Sequence, residues 1–181
     1  MKKIHYLFLI LFLSITSSCV EEQNFDQFND LDIIPTVEAS ILYVESPESV
    51  INDATGAVWY IQTFNFDAFN EQFFADNVLD GAITYELENT TSKPLEILFE
   101  YLDDGGNVLD TEFFSLDPAP TAVLRRETAY GTPTGRSLDI IRNTSQVRVN
   151  ARNLGDNNSV SSLPDPMIIF RSSGKFRLRL K

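Results

Sequence analysis

The one sulfur nucleophile of the chain is Cys19, set directly behind Ile15-Thr16-Ser17-Ser18 and not repeated anywhere in the sequence. A thiol with no second cysteine closes no intramolecular disulfide, and at the end of a small-residue step it stands where an acyl group could be attached. The only imidazole, His5, precedes that step. Once the residues before Cys19 are removed, neither Ser-His-Asp nor Cys-His catalysis can be assembled, and no zinc site can be built on His or on a cysteine cluster. What remains is carboxylate, lysine, tyrosine or oxygen-ligand chemistry.

Four constellations could use that chemistry. Ser172-Ser173-Gly174-Lys175 has the Ser-x-x-Lys spacing of a lysine-activated serine, which requires a helix, whereas the flanking pattern is that of strands. Asp103, Asp104, Asn107 and Asp110 gather oxygen ligands suited to Ca²⁺, although their spacing is not that of an EF-hand loop; a solvated turn is the plainer account. Trp59 and Tyr60 open an aromatic block, with Phe64, Phe66, Phe69, Phe73 and Phe74, that could line a sugar- or peptide-binding surface or simply fill a core. Glu86, Glu88, Glu96 and Glu100 alternate with apolar residues, which predicts one solvent-facing sheet surface where opposing cations, or a glycosidase-like pair, would account for them. No cofactor motif is present, so no cofactor is expected.

The segment that carries Cys19 has three parts: Lys2-Lys3, an apolar run Leu7–Leu13, and the small-residue step. Such a run is too short to span a bilayer as a mature helix and reads as an export signal over residues 1–18. With Thr16-Ser17-Ser18-Cys19 in place, it resembles a bacterial lipoprotein signal, and its serine-rich form is similar to the relaxed lipoboxes of Bacteroidota. The resemblance implies a lipidated Cys19, an outer-membrane location and a membrane partner reached through the anchor alone. Residues 20–35 are acidic, with isolated Phe25 and Phe28 and no periodicity, and predict a flexible tether. Glu21, Glu22 and Asp26 just after the cysteine also look like the signal that directs such lipoproteins to the cell surface.

Net charge is −12, but it is unevenly laid down. Residues 20–120 hold one base, Lys93, against twenty-two acids, whereas residues 121–181 hold eleven bases against four acids. Because the bases alternate along strand-like segments instead of forming a run, one sheet structure that sets late basic strands beside early acidic ones is expected, and a nucleic-acid partner is not.

Residues 36–181 predict a single domain of short strands. Thr36–Val44, Ala57–Phe66, the alternations at 83–88 and 95–101, Val108–Leu116, Thr121–Tyr130, Gln146–Asn153, Met167–Phe170 and Lys175–Lys181 are the candidates, with a hairpin or bulge at Ser172–Gly174. One short helix is expected over Asp67–Val78, capped by Asp67 and marked by Phe66, Phe69 and Phe73; Leu138–Arg142 could form a single turn. Asp103-Asp104-Gly105-Gly106-Asn107 is a hairpin turn in which glycine supplies positive φ.

Gly81–Thr90 and the run Phe99-Glu100-Tyr101-Leu102-Asp103-Asp104-Gly105-Gly106-Asn107-Val108-Leu109 resemble the FxLYD and late-embryogenesis-abundant type of Ig-like sandwich, with Tyr101-Leu102 in the reverse order of that motif. The expected fold is therefore an all-β, Ig-like antiparallel β-sandwich of seven to nine strands. The expected role is a non-enzymatic binding or structural module for another envelope protein or an extracellular glycan; a carbohydrate-binding module or a carboxylate-dependent glycan-active enzyme is the alternative.

Overall fold

Alternation of apolar and polar residues at 83–88, 95–101 and 147–152 is what a strand with one buried face requires, and each stretch is a strand in the computed structural model. The structure describes residues 32–66, 68–69, 71–120, 123–131 and 133–180. Cys19, the signal, the tether up to residue 31 and the expected cap Asp67 lie outside the described residues. One compact unit spans Ile33–Lys181.

Among the described residues the strands are β1 Thr36–Pro47, β2 Val58–Asn65, β3 Val78–Asn89, β4 Leu95–Leu102, β5 Val108–Leu116, β6 Leu124–Tyr130, β7 Gln146–Asn153 and β8 Met167–Leu178. Three short helices interrupt them: α1 Glu48–Asp53, α2 Gln72–Asn77 and α3 Leu138–Asn143. The single helix expected over Asp67–Val78 is thus shorter; α3 stands where a single turn was expected at Leu138–Arg142, and α1 is additional. Phe69 is buried ahead of α2 while Phe73 is 62% exposed, so the aromatic spacing marks no helical face. β8 runs unbroken through Ser172–Gly174, where an interruption was expected, because β1 and β3 pair with it on both sides.

The expected antiparallel sandwich takes the form of two four-stranded sheets, ordered β1-β8-β3-β6 and β2-β7-β4-β5. This is the jelly-roll order; an immunoglobulin order would keep β1 beside β2. Local turn chemistry says where the chain reverses but not which sheet receives the next strand. The turn at 103–107 closes the β4–β5 hairpin, with Asp103 N–H donating to Asn107 O at 3.0 Å and Gly106 at φ 77°. The turn at 90–94, by contrast, carries the chain from one sheet to the other.

In this arrangement the chain pairs with itself as one long hairpin: first strand with eighth, second with seventh, third with sixth, fourth with fifth. Within the sheets, acids of β3 and β4 meet bases of β6, β7 and β8. Asp80 stands opposite Arg177, Glu86 opposite Arg125, Glu96 opposite Arg152 and Glu100 opposite Arg148. Each of these register partners is an ion pair, with Arg177 Nε donating to Asp80 Oδ1 at 2.8 Å and Arg148 Nε to Glu100 Oε2 at 2.6 Å.

Between the sheets an aromatic core joins β3, β4, β5 and β8. Tyr85 packs on Phe99 and Phe114 at 5.6 and 5.3 Å between ring centroids, and Phe99 meets Phe170 across the sandwich at 5.5 Å. Phe176 lies directly over Gly81, its register partner; a Cβ at Gly81 would fall 2.1 Å from Phe176 Cδ1 and 2.5 Å from Lys175 O. The missing side chain lets the ring settle on the backbone, where Phe69 and Phe74 close over it, each at 5.3 Å.

Two predictions follow from this packing. Gly81→Ala should cost about 1–3 kcal/mol through overpacking, read as a lower midpoint in chemical denaturation, and adding Phe176→Leu should recover part of the loss; a double variant no better than the sum of the single changes contradicts the ring-on-glycine account. Arg177→Glu should lower the melting temperature more at about 0.01 M salt, where the Debye length is ~30 Å, than at 1 M, where it is ~3 Å, and the swap Asp80→Arg with Arg177→Glu should restore it.

Candidate functional site

The residues singled out by sequence do not converge on one place. Trp59 and Tyr60 are both half-buried against the core, their rings tilted 48° to one another at 5.8 Å. They are neighbours on the edge strand β2, beside a bulge between Val58 and Tyr60, and their tilted rings do not make a coplanar platform. The Ca²⁺ candidates separate in the same way. Asp103 accepts hydrogen bonds from the side chain and the backbone N–H of Asn107, which hold its carboxyl below the ordinary range, Asp104 is exposed, and Asp110 is turned to Arg136 at 2.6 Å. Among the described residues no group of three or more acidic, His or Cys side chains could hold a metal ion. Ser172 points into the core with its hydroxyl unpartnered, whereas Lys175 is on the opposite, solvent face of β8. Glu86 and Glu88 belong to one sheet and Glu96 and Glu100 to the other, so the single acidic surface expected for the four does not form. The connection between β3 and β4 changes sheets, and alternation cannot reveal that.

Three sites assembled by the fold were not evident in the sequence. The first closes the β5/β6 edge. Glu112, 3% exposed, accepts from Thr128 Oγ1 at 2.7 Å and pairs with Arg136 at 2.9 Å and Arg126 at 3.3 Å. Arg126 also donates to Phe113 O at 2.9 Å and lies 4.5 Å above the Phe114 ring. Behind it the buried hydroxyls of Tyr85 and Tyr101 are hydrogen-bonded to one another, and Tyr130 reaches Asp110. Burial pushes all three phenols well above the usual tyrosine range, with the neighbouring carboxylates Glu112 and Asp110 adding to the rise.

The second site ties the long loop 154–166 to the body of the domain. Lys93, the lone base of the acidic stretch, is fully buried; its Nζ donates to Ser159 O and Oγ at 2.7 Å each and to Asp156 Oδ1 at 3.1 Å. Glu48, at the start of α1, accepts from Ser92 N and Oγ at 2.6 Å and from Ser161 N at 2.8 Å. Burial alone would raise the Glu48 carboxyl, but the Ser92 and Ser161 donors and the Lys93 charge outweigh it and hold the group below its ordinary value. Asp156 is held well below the carboxylate range by the Ser159 and Asn158 N–H groups and by Lys93. A groove of about 580 Å³ runs beside this knot, bounded by Pro47, Asn52, Val160 and Met167.

The third is a depression of about 270 Å³ on the outer face of the β1-β8-β3-β6 sheet. Ser40, Ser173 and Thr84 form one row across three strands, and beside it runs a row of Tyr43, Arg171, Glu86 and Arg125. The bulge between Ser40 and Leu42 shifts the phase of β1 so that Tyr43, not Leu42, joins the outer row opposite Arg171.

Because both Glu48 and Asp156 have lowered pKa values in the folded state, the stability they contribute is present above the unfolded value, roughly 4.3 for Glu, and is lost as pH falls through the folded values. Melting temperature should therefore drop as pH falls below about 4, and Glu48→Gln should flatten that drop while lowering stability near neutral pH. A variant curve parallel to that of the parent protein would show that Glu48 is not linked to the acid transition.

No protein-family model matches the sequence, and no curated protein matches it. Among solved structures the chain is similar to the VP2 subviral particle of infectious bursal disease virus, at 10% identity and a TM-score of 0.36 over 83% of this chain; it spans about a third (33%) of that one. It is also similar to the disulfide-linked pili of Bacillus endospore appendages, at 11% identity and a TM-score of 0.35, covering 82% of this chain and 91% of that chain. A third likeness is to Desmodium yellow mottle tymovirus, at 6% identity and a TM-score of 0.36, over 83% and 89% of the two chains. Likenesses at these identities and scores say nothing of what this chain does.

Proposed function

We propose that the chain is a cell-envelope lipoprotein, held at the outer membrane by acyl chains on Cys19, whose sandwich domain works by contact as a binding or structural module. The observation that carries this reading is the sole cysteine of the sequence standing at the end of a small-residue step, behind Lys2-Lys3 and an apolar run. Acyl chains contribute about 0.8 kcal/mol per buried CH₂, so more than one of them on a single residue anchors a domain stably without help from the domain itself. Among the described residues no helix is long and apolar enough to cross a membrane.

The carboxylates of the domain favour contact over chemistry. Glu86, Glu96 and Glu100 are each matched to an arginine on the neighbouring strand, and Glu48 and Glu112 are committed to structural hydrogen bonds. A carbohydrate-binding role is the second reading. What favours it is the hydroxyl-floored depression on the outer sheet face and not the aromatic pair Trp59 and Tyr60.

Mass spectrometry of the mature protein should find Cys19 as the N-terminal residue, heavier by the mass of its acyl chains, and the protein should partition into the detergent phase of a cloud-point separation. Cys19→Ser should move it to the aqueous phase. An unmodified Cys19 in the mature protein would remove the anchor and the location argued from it.

A further inference from the structure

We propose that the depression on the outer face of the β1-β8-β3-β6 sheet binds a carboxylated sugar unit of an extracellular glycan, with Arg171 taking the carboxylate and Ser40, Ser173 and Thr84 the ring hydroxyls. This deepens the binding-module reading by naming a place and a ligand class.

The shape comes from the register. Ser40, Ser173 and Thr84 are consecutive partners across β1, β8 and β3. The next outward row on one side holds Glu38 opposite Lys175, and the next on the other side holds Arg171 opposite Glu86. Long side chains therefore flank a row of short ones, and the floor between them is made of hydroxyl groups that both donate and accept. Its volume, about 270 Å³, lies just below the roughly 300–1,000 Å³ of pockets that enclose a drug-sized ligand, which suits one ring of a longer chain lying along the sheet.

The chemistry comes from which charges are already matched. Glu86 pairs with Arg125 at 3.2 Å, whereas Arg171 has no carboxylate within 4.0 Å among the described residues and stands 5.8 Å from the Tyr43 ring centroid. A guanidinium without an ion-pair partner is a bidentate donor for a carboxylate. Tyr43, 55% exposed, lies beside the depression with the guanidinium over its ring and its hydroxyl donating to Glu45 at 2.7 Å, which holds Arg171 at the border of the site. A phosphate dianion fits poorly, because Glu38 and Glu86 flank the same depression and would repel it. The same two carboxylates can accept hydrogen bonds from sugar hydroxyls, so a monoanion carrying several hydroxyls matches the charge of Arg171 and the acceptors beside it.

The test uses the full chain purified in detergent, titrated calorimetrically with oligogalacturonate, oligomannuronate and hyaluronan oligosaccharides, with the methyl-esterified form of whichever binds, with neutral galactan and mannan oligosaccharides, and with inorganic phosphate. At least one uronate oligosaccharide should bind, and its affinity should fall about tenfold on esterification or in Arg171→Ala, the loss of one charge-assisted contact. Thr84→Val should weaken it as well, while Arg152→Ala on the other sheet should not, and melting temperatures of the variants will establish that they are folded. Absence of binding to all three uronates, equal binding by Arg171→Ala, equal binding of neutral oligosaccharides, or equal competition by phosphate each overturns the proposal. Cys19 acylation is read by mass on the same preparation. A failed titration with an acylated chain then counts against this site alone, and uronate binding by an unacylated chain counts against the anchor alone.

Discussion

Pairing of the first strand with the last, and of each strand with its counterpart from the other end of the chain, is the constraint on which both sheets rest. β8 lies between β1 and β3, and β7 lies between β2 and β4, so two of the four central strands come from the C-terminal third and are flanked by strands from much earlier in the chain. Contacts of this sequence separation cost loop-closure entropy before they return any burial. Charge favours particular neighbours within each sheet: acids of β3 meet bases of β6 and β8, and acids of β4 meet bases of β7. Each exposed cross-strand pair is worth only about 0.2–1 kcal/mol, but a mispaired early strand would lose its opposite charges and gain like ones. Charge in this protein therefore favours one pairing of strands more than it adds to total stability.

The two buried polar clusters do a comparable job at the margins of the sandwich. At the β5/β6 edge, positions that face inward elsewhere in the strands are occupied by Glu112, Thr128, Arg126 and Asp110, and arginine N–H groups satisfy the backbone carbonyl of Phe113. Side chains that occupy edge carbonyls in this way hinder the addition of a further strand there. At the other cluster, Lys93 and Glu48 hold loop 154–166 through hydrogen bonds to backbone and hydroxyl groups. Buried charges of this kind contribute little net stability against an apolar replacement, yet losing one partner is costly, so they fix where the loop sits.

Function, in the reading developed above, divides between two parts of the chain that need share no chemistry. Under that proposal the N-terminal segment would supply attachment and the sandwich would supply surface. Of that surface, the outer face of the β1-β8-β3-β6 sheet is the part where side-chain size, hydroxyl groups and Arg171, which has no ion-pair partner among the described residues, coincide. The aromatic residues that looked most like a binding platform are instead packed against the core, at Trp59 and Tyr60, or over Phe176, at Phe69 and Phe74.

Alternation in the sequence was enough to place β3, β4 and β7 and assign their buried faces, and the glycines of 103–107 were enough to call for a turn with positive φ, because strand periodicity and turn stereochemistry are properties of neighbouring residues. It was enough, too, to foresee that late bases would meet early acids. It did not reveal which acids shared a face, since the step from β3 to β4 crosses between sheets, nor that Lys93 would be buried, since its partners Asp156 and Ser159 are some sixty residues away. The jelly-roll order, the bulge that turns Tyr43 outward and the alignment of Ser40, Ser173 and Thr84 were decided by tertiary structure. Each depends on the register between strands far apart in the chain, and register is chosen by how the whole core packs, which no local pattern encodes.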